Sequence, residues 1–206
     1  MVVAYGVCVG SWDKFHQYVE PRIPGGQPIF ALANQASITQ AYNAILNACI
    51  GRPLDALILL HDDLEIVDPD AEAKFLDAFT DPDVWLAGIA GGRNVSSLAW
   101  WEAETAGHQQ IDTQMLDLGP RTADVDLLEG SILAFSPHAI RAVRFDRQFG
   151  GFHGYDEVAM RVKNLKRRVV VVDVDTHHHT QLGFKTPESA AEWAAANDMF
   201  RRKWGF

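Results

Sequence analysis

The stretch DALILLHDDLEIVD, residues 55–68, opens with a run that is apolar without alternation from Ala56 to Leu60. Such a run fits a strand covered on both faces by helices. His61, Asp62 and Asp63 follow at once, crowding three groups able to ligate a metal or carry a proton where that strand leaves its sheet. In open α/β sheets ligands collect at the carboxyl ends of strands, so the placing suits a site. Aspartate is also common in turns, and a solvated acidic turn is the plainer reading of this segment by itself.

Outward from this strand, apolar β-type runs alternate with amphipathic helical ones, the pattern of an α/β fold with a mostly parallel central sheet flanked by helices. Strands are expected at residues 2–9, 28–33, 55–60, 84–90, 126–135 and 168–174. Between the second and third, SITQAYNAILNACIG (residues 37–51) pairs Ser37 with Gln40 as a capping box. It lays Ile38, Ala41, Tyr42, Ile45 and Cys49 on one face and stops at Gly51. A second helix over about residues 70–79 carries Ala71, Phe75 and Phe79, and a third begins near Tyr155. The last runs from the Thr186-Pro187 cap to Lys203. Residues 91–121 show weak periodicity, with Trp100 and Trp101 side by side. A stretch that long without clear elements reads as a substrate-facing loop or cover; a hairpin whose tryptophans pack on the core is the alternative. Gly91-Gly92-Arg93 lacks the spacing of a phosphate-binding loop and reads as a turn.

Composition narrows the classes. A chain of 206 residues is about one large domain, and 48% hydrophobic with 22% charged residues is that of a soluble globular protein. The net charge of −9 argues against a nucleic-acid partner, which needs a basic face, so an anionic ligand must be met locally. No apolar stretch reaches the roughly 18 residues of a membrane span, and MVVAYGVCVGSWDK lacks the basic leader of a signal peptide. A cytoplasmic protein is therefore expected, with Cys8 and Cys49 as reduced thiols.

Residues 149–180, FGGFHGYDEVAMRVKNLKRRVVVVDVDTHHHT, place Asp156 and Glu157 at the start of a helix and three histidines after the next strand. The acidic pair also complements a helix dipole. Imidazoles beside Asp173 and Asp175 are harder to dismiss, because nitrogen with carboxylate oxygen is a natural shell for Mn²⁺, Zn²⁺ or Fe²⁺.

LLHDD, then VDLLEGSILAFS, then RFDRQFGGFHGYDEVAMRVKNLKRRVVVVDV and a late histidine, in that order, resemble GT-A-fold glycosyltransferases of the family 2 type, in particular the streptomycin-biosynthesis-type branch. ASITQAYNAIL and the terminal MFRRKWGF extend the resemblance over most of the chain. It implies a single Rossmann-like GT-A domain over residues 1–206. The nucleotide-binding half would cover about 1–65, the acceptor and catalytic half about 91–180, and a closing helix 187–203. It further implies a nucleotide-sugar donor, an Mn²⁺ or Mg²⁺ cofactor, and an acceptor hydroxyl on a glycan, protein or small molecule.

The family's metal-binding motif falls on His61-Asp62-Asp63. Asp63 matches the metal-ligating aspartate, Asp62 lies beside the donor, and His61 stands where an aspartate facing the nucleotide sugar is usual. The late histidine falls among His177, His178 and His179. Alternation alone does not decide which points inward; His178 is preferred and His179 kept beside it. The catalytic acid position falls on Asp156, with Glu157 as its neighbour, and a lone carboxylate acting as general base is the arrangement of an inverting transferase. Val9, Gly10 and Ser11, with Asn34 and Asn43, would line the donor pocket. His153 could touch the acceptor or be structural, and Arg201, Arg202 and Lys203 could reach the diphosphate or form a solvated helix face. Two other functions fit the same residues. One is a non-catalytic module of this fold that holds a sugar nucleotide or a protein partner; the other is a metal-dependent hydrolase, less favoured for want of a second carboxylate-rich motif.

Overall fold

The computed structural model describes residues 1–149, 154–181, 183 and 186–206. In chain order the elements are β1 (Val3–Val9), α1 (Trp12–Lys14), β2 (Ile29–Ala33), α2 (Ile38–Cys49), β3 (Ala56–His61), β4 (Leu64–Ile66), α3 (Ala71–Ala78), β5 (Val84–Gly88) and β6 (Ala90–Arg93). Then come β7 (Glu104–Ile111), β8 (Gln114–Asp117), β9 (Ala123–Asp124), β10 (Leu127–Leu128), β11 (Ile132–Phe135), α4 (Pro137–Ala142), α5 (Val158–Asn164), β12 (Arg168–Val171), β13 (Thr176–His178) and α6 (Pro187–Trp204).

Two sheets result: β2-β1-β3-β11-β5-β12-β9, and β10-β6-β7-β13-β4 with β8 beside β7. β1 pairs with β2 and β3 in parallel, as does β5 with β12. β11 runs antiparallel to both β3 and β5, and β9 antiparallel to β12. The α/β class holds, but the central sheet is mixed instead of mostly parallel. The reason is that Ile132–Phe135 is buried throughout, and a fully buried run looks the same in either direction. This reversal matters below, because it brings the start of β11, not its end, to the carboxyl edge of β3; His61 N donates to Ser131 O at 3.0 Å.

α2 forms where its sequence pattern predicts. Ser37 Oγ accepts from Gln40 N at 3.2 Å, and Ala41, Tyr42, Ile45, Leu46 and Cys49 are buried in the core. Residues 91–121 differ from expectation. About half of them form strands β6, β7 and β8, and Trp100 is buried at 7% exposure while Trp101 is 46% exposed. Glycines hid the strand signal: Gly91, Gly92 and Gly107 contribute no side chain to an alternating pattern. Gly107, at φ 98°, has the Ile89 carbonyl where a Cβ would stand. Among the described residues no helix is long and apolar enough to cross a membrane.

Candidate active site

The carboxyl ends of β1 and β3 lie side by side, with Cys8 in register with His61. Asp62 fastens them: its Oδ2 accepts from Gly10 N at 2.7 Å and Ser11 N at 2.6 Å. One residue on, Asp63 is nearly buried at 8% exposure. The short antiparallel pair β4–β13 brings the late histidines to it, and His179 N donates to Asp63 O at 2.8 Å. His178 Nε2 then lies 3.1 Å from Asp63 Oδ1, and Lys14 Nζ, from the helix after β1, donates to Oδ2 at 2.9 Å. Burial alone would raise the Asp63 pKa; the hydrogen bonds from His178 and Lys14 outweigh it and hold the carboxyl well below its usual range. His61, Asp63 and His178 each offer a ligand atom within 4.8 Å of the others. Two imidazoles and an ionised carboxylate fit Mn²⁺ and similar borderline cations by ligand chemistry.

β13 alternation separates the three histidines. His178 is buried and faces Asp63, whereas His177 and His179 lie on the opposite face, where His179 Nε2 meets Glu65 Oε2 at 2.8 Å. The His179 ring, expected as a ligand beside His178, is therefore turned away from the Asp63 carboxylate although its backbone N–H meets the Asp63 carbonyl, because neighbouring strand residues point oppositely.

Asp156 and Glu157, in a 3-10 turn (Gly154–Glu157) ahead of α5, are also divided. Glu157 turns to α6: its carboxylate is 1% exposed and pairs with Lys203 and, at 2.9 Å, with Arg161. Asp146 completes the cluster, at 2.8 Å from Arg161 and 2.7 Å from Lys203. Asp156 turns to Gly130, just ahead of β11. A Cβ at Gly130 would overlap the Tyr155 ring and Asp156 Oδ1, so glycine permits this approach. Asp156 is 2% exposed, and burial, then the Glu129 charge, push its pKa well up. The Tyr155 ring stands edge-on to His61 at 5.6 Å, and His61 edge-on to His178 at 5.4 Å, linking the acidic turn to the Asp63 cluster.

A metal-suited cluster at two strand ends, an acidic turn reaching the same edge and the two-sheet α/β layout together invite comparison with known proteins. The pattern described as "Glycosyltransferase like family" matches residues 23–201. The chain belongs to this glycosyltransferase-like family. It is 33% identical over 194 residues to the streptomycin biosynthesis protein StrF of Streptomyces griseus, covering 89% of this chain and 69% of that one. In fold it is similar to GalNAc-T7, solved with UDP, GalNAc and Mn²⁺, at a TM-score of 0.63 and 10% identity over 95% of this chain and 47% of that one. It is also similar to the mannosyltransferase PcManGT of Pyrobaculum calidifontis, solved with GDP-Man and Mn²⁺. There the TM-score is 0.50 and the identity 14%, over 88% of this chain and 58% of that one. A third fold neighbour is A197 from STIV, with TM-score 0.57 and 9% identity over 88% and 87% of the two chains.

Within this glycosyltransferase fold the remaining expected donor-pocket residues do different work. Val9 is buried in β1, and Ser11 Oγ accepts from Lys14 N at 3.4 Å as the cap of α1. Asn43 is spent on structure: it exchanges two hydrogen bonds with the Phe145 backbone, at 2.9 and 2.8 Å, and ties α2 to the segment before the acidic turn. Asn34 is exposed at the end of β2 with φ 57°. His153 lies outside the described residues. Of the basic cluster, Lys203 is taken by Glu157 and Asp146. Lys14 and Glu129 were not anticipated. Lys14 follows a strand end and was findable by the carboxyl-edge rule. Glu129 precedes an antiparallel strand, which that rule ignores. Glu129 Oε2 accepts from Ser131 N at 2.9 Å, and Gln109 Nε2 donates to Ser131 Oγ at 2.8 Å, so this carboxylate is held from both sheets.

Proposed function

We propose that this chain transfers a sugar, with inversion, from a nucleotide-sugar donor to an acceptor hydroxyl. The observation that carries the reading is the run of ring contacts, Tyr155 to His61 to His178, that links the turn bearing the buried Asp156 to the Asp63–His178 pair. Asp63, His178 and His61 would hold a divalent cation, Mn²⁺ or Mg²⁺, which when bound offsets the negative charge that develops on the leaving diphosphate. GalNAc-T7 and PcManGT, both solved with Mn²⁺ and nucleotide or nucleotide sugar, support this assignment. Asp62 keeps the β1 loop and the Asp63 strand at fixed separation through its two backbone hydrogen bonds. Lys14 adds a positive charge on the same side, which an acidic chain needs in order to receive an anionic donor.

Asp156 takes the proton of the acceptor hydroxyl as that oxygen attacks the anomeric carbon. A buried carboxylate beside Glu129 is more basic than a solvated one, and so a better proton acceptor. Glu157 anchors the turn to α6 through Lys203. The test is donor consumption, followed by release of nucleoside diphosphate from a panel of sugar nucleotides. Turnover in the wild type that falls by roughly two to four orders of magnitude in Asp156→Asn, at near-equal donor affinity, is expected. Full turnover in that variant would remove the base from the reaction.

A further inference from the structure

On the face of β13 opposite to Asp63, a second group gathers that the donor site does not use. His177 is the cross-strand partner of Glu65, and His179 Nε2 lies 2.8 Å from Glu65 Oε2. The two imidazole rings are 3.9 Å apart between centroids. Each of the three residues offers a ligand atom within 4.8 Å of the others. We propose that Glu65, His177 and His179 form a second cation site, for a borderline transition-metal ion of the Zn²⁺ class, separate from the Asp63 cluster.

The surroundings are arranged as outer partners of metal ligands are. The Asp112 carbonyl, 2.9 Å from His177 Nε2, can only accept; the proton of His177 is therefore on Nε2, and Nδ1 keeps its lone pair. Tyr18 stacks on His179 at 3.7 Å between centroids, 12° from parallel, which fixes the plane of that ring. Arg22 Nε donates to Glu65 Oε1 at 2.7 Å, leaving Oε2 turned to the histidines as a single ligand oxygen. Two nitrogens and one oxygen with room for water are the set of an open zinc site. Magnesium and calcium, which prefer oxygen throughout, are disfavoured. On entry the ion bonds to His179 Nε2 and Glu65 Oε2 in place of the hydrogen bond between them, and the proton of the neutral His179 ring moves to Nδ1.

Such an ion would staple β4 to β13, and those two strands flank Asp63 and carry His178. Lys14 reaches Asp63 and Tyr18 reaches His179 from the same helical segment, so the staple would also bear on the cation side of the donor site.

The test is Zn²⁺ titration of the chelator-treated full chain against a competing chromophoric chelator, with Co²⁺ substituted in parallel for its visible absorption. Asp63→Asn, which weakens the other cluster, is expected to keep one tight Zn²⁺ equivalent and the Co²⁺ spectrum. His177→Ala/His179→Ala is expected to bind one equivalent fewer than wild type. Wild-type stoichiometry and affinity in the double variant would overturn the site. Should circular dichroism show the double variant unfolded, Glu65→Gln decides the matter. Its affinity for Zn²⁺ is expected to be about 10-fold or more weaker, and unchanged affinity would overturn the proposal.

Discussion

At Asp156, burial beside Glu129 raises the carboxyl pKa above the ordinary carboxylate range, and stability and activity respond to this in opposite ways. Below the unfolded-state pKa both states are protonated and nothing is lost. As pH rises above it, the unfolded chain ionises while the folded one still holds its proton, so the wild type loses stability until the folded pKa is passed. Asp156→Asn cannot ionise; in chemical denaturation across pH its stability should equal the wild type in acid and exceed it increasingly toward neutral pH. Activity should show the converse, with the acid limb of kcat/KM displaced upward from the usual carboxylate range. Glu157 differs although it is the next residue. It is buried against Lys203 and Arg161, and Glu157→Gln removes charge-assisted hydrogen bonds worth about 2 kcal/mol while leaving the proposed base, Asp156, unchanged. A lowered denaturation midpoint with donor turnover largely kept is the expected result. Sequence alone could not divide the two acids. They are adjacent in one turn, and their roles follow from packing against Gly130 on one side and α6 on the other.

At the scale of elements, β13 sorts three identical side chains by alternation, which is readable once the strand is known to span Thr176–His178. The direction of β11 was not readable, and with it went Glu129. The strands in residues 91–121 were hidden by glycine and by the exposed, polar β8. β7 is paired on one edge with β6 and β13 and on the other with β8, so it belongs to the interior of its sheet. Hydrogen exchange of the ligand-free protein should therefore find the β7 amides as protected as those of β1 and β3. Rapid exchange there, slowed by donor, would restore the reading of this segment as a closing cover.

At the scale of the whole molecule, the alternation of apolar and amphipathic runs was enough to predict an α/β fold, and the order of four motifs was enough to point to the family. Mixed strand directions and the second sheet depend on long-range pairing that no local pattern encodes. The net charge of −9 sets the central electrostatic requirement of the proposal: an anionic nucleotide would be met by local positive charge, from Lys14 and from the ion that Asp63, His61 and His178 are suited to bind. Calorimetric titration of a nucleoside diphosphate panel into the wild-type chain, with Mn²⁺ and then with chelator, tests that requirement directly. At least one diphosphate is expected to bind tightly with Mn²⁺ and about 10-fold or more weakly with chelator. Equal affinity in both conditions would contradict it.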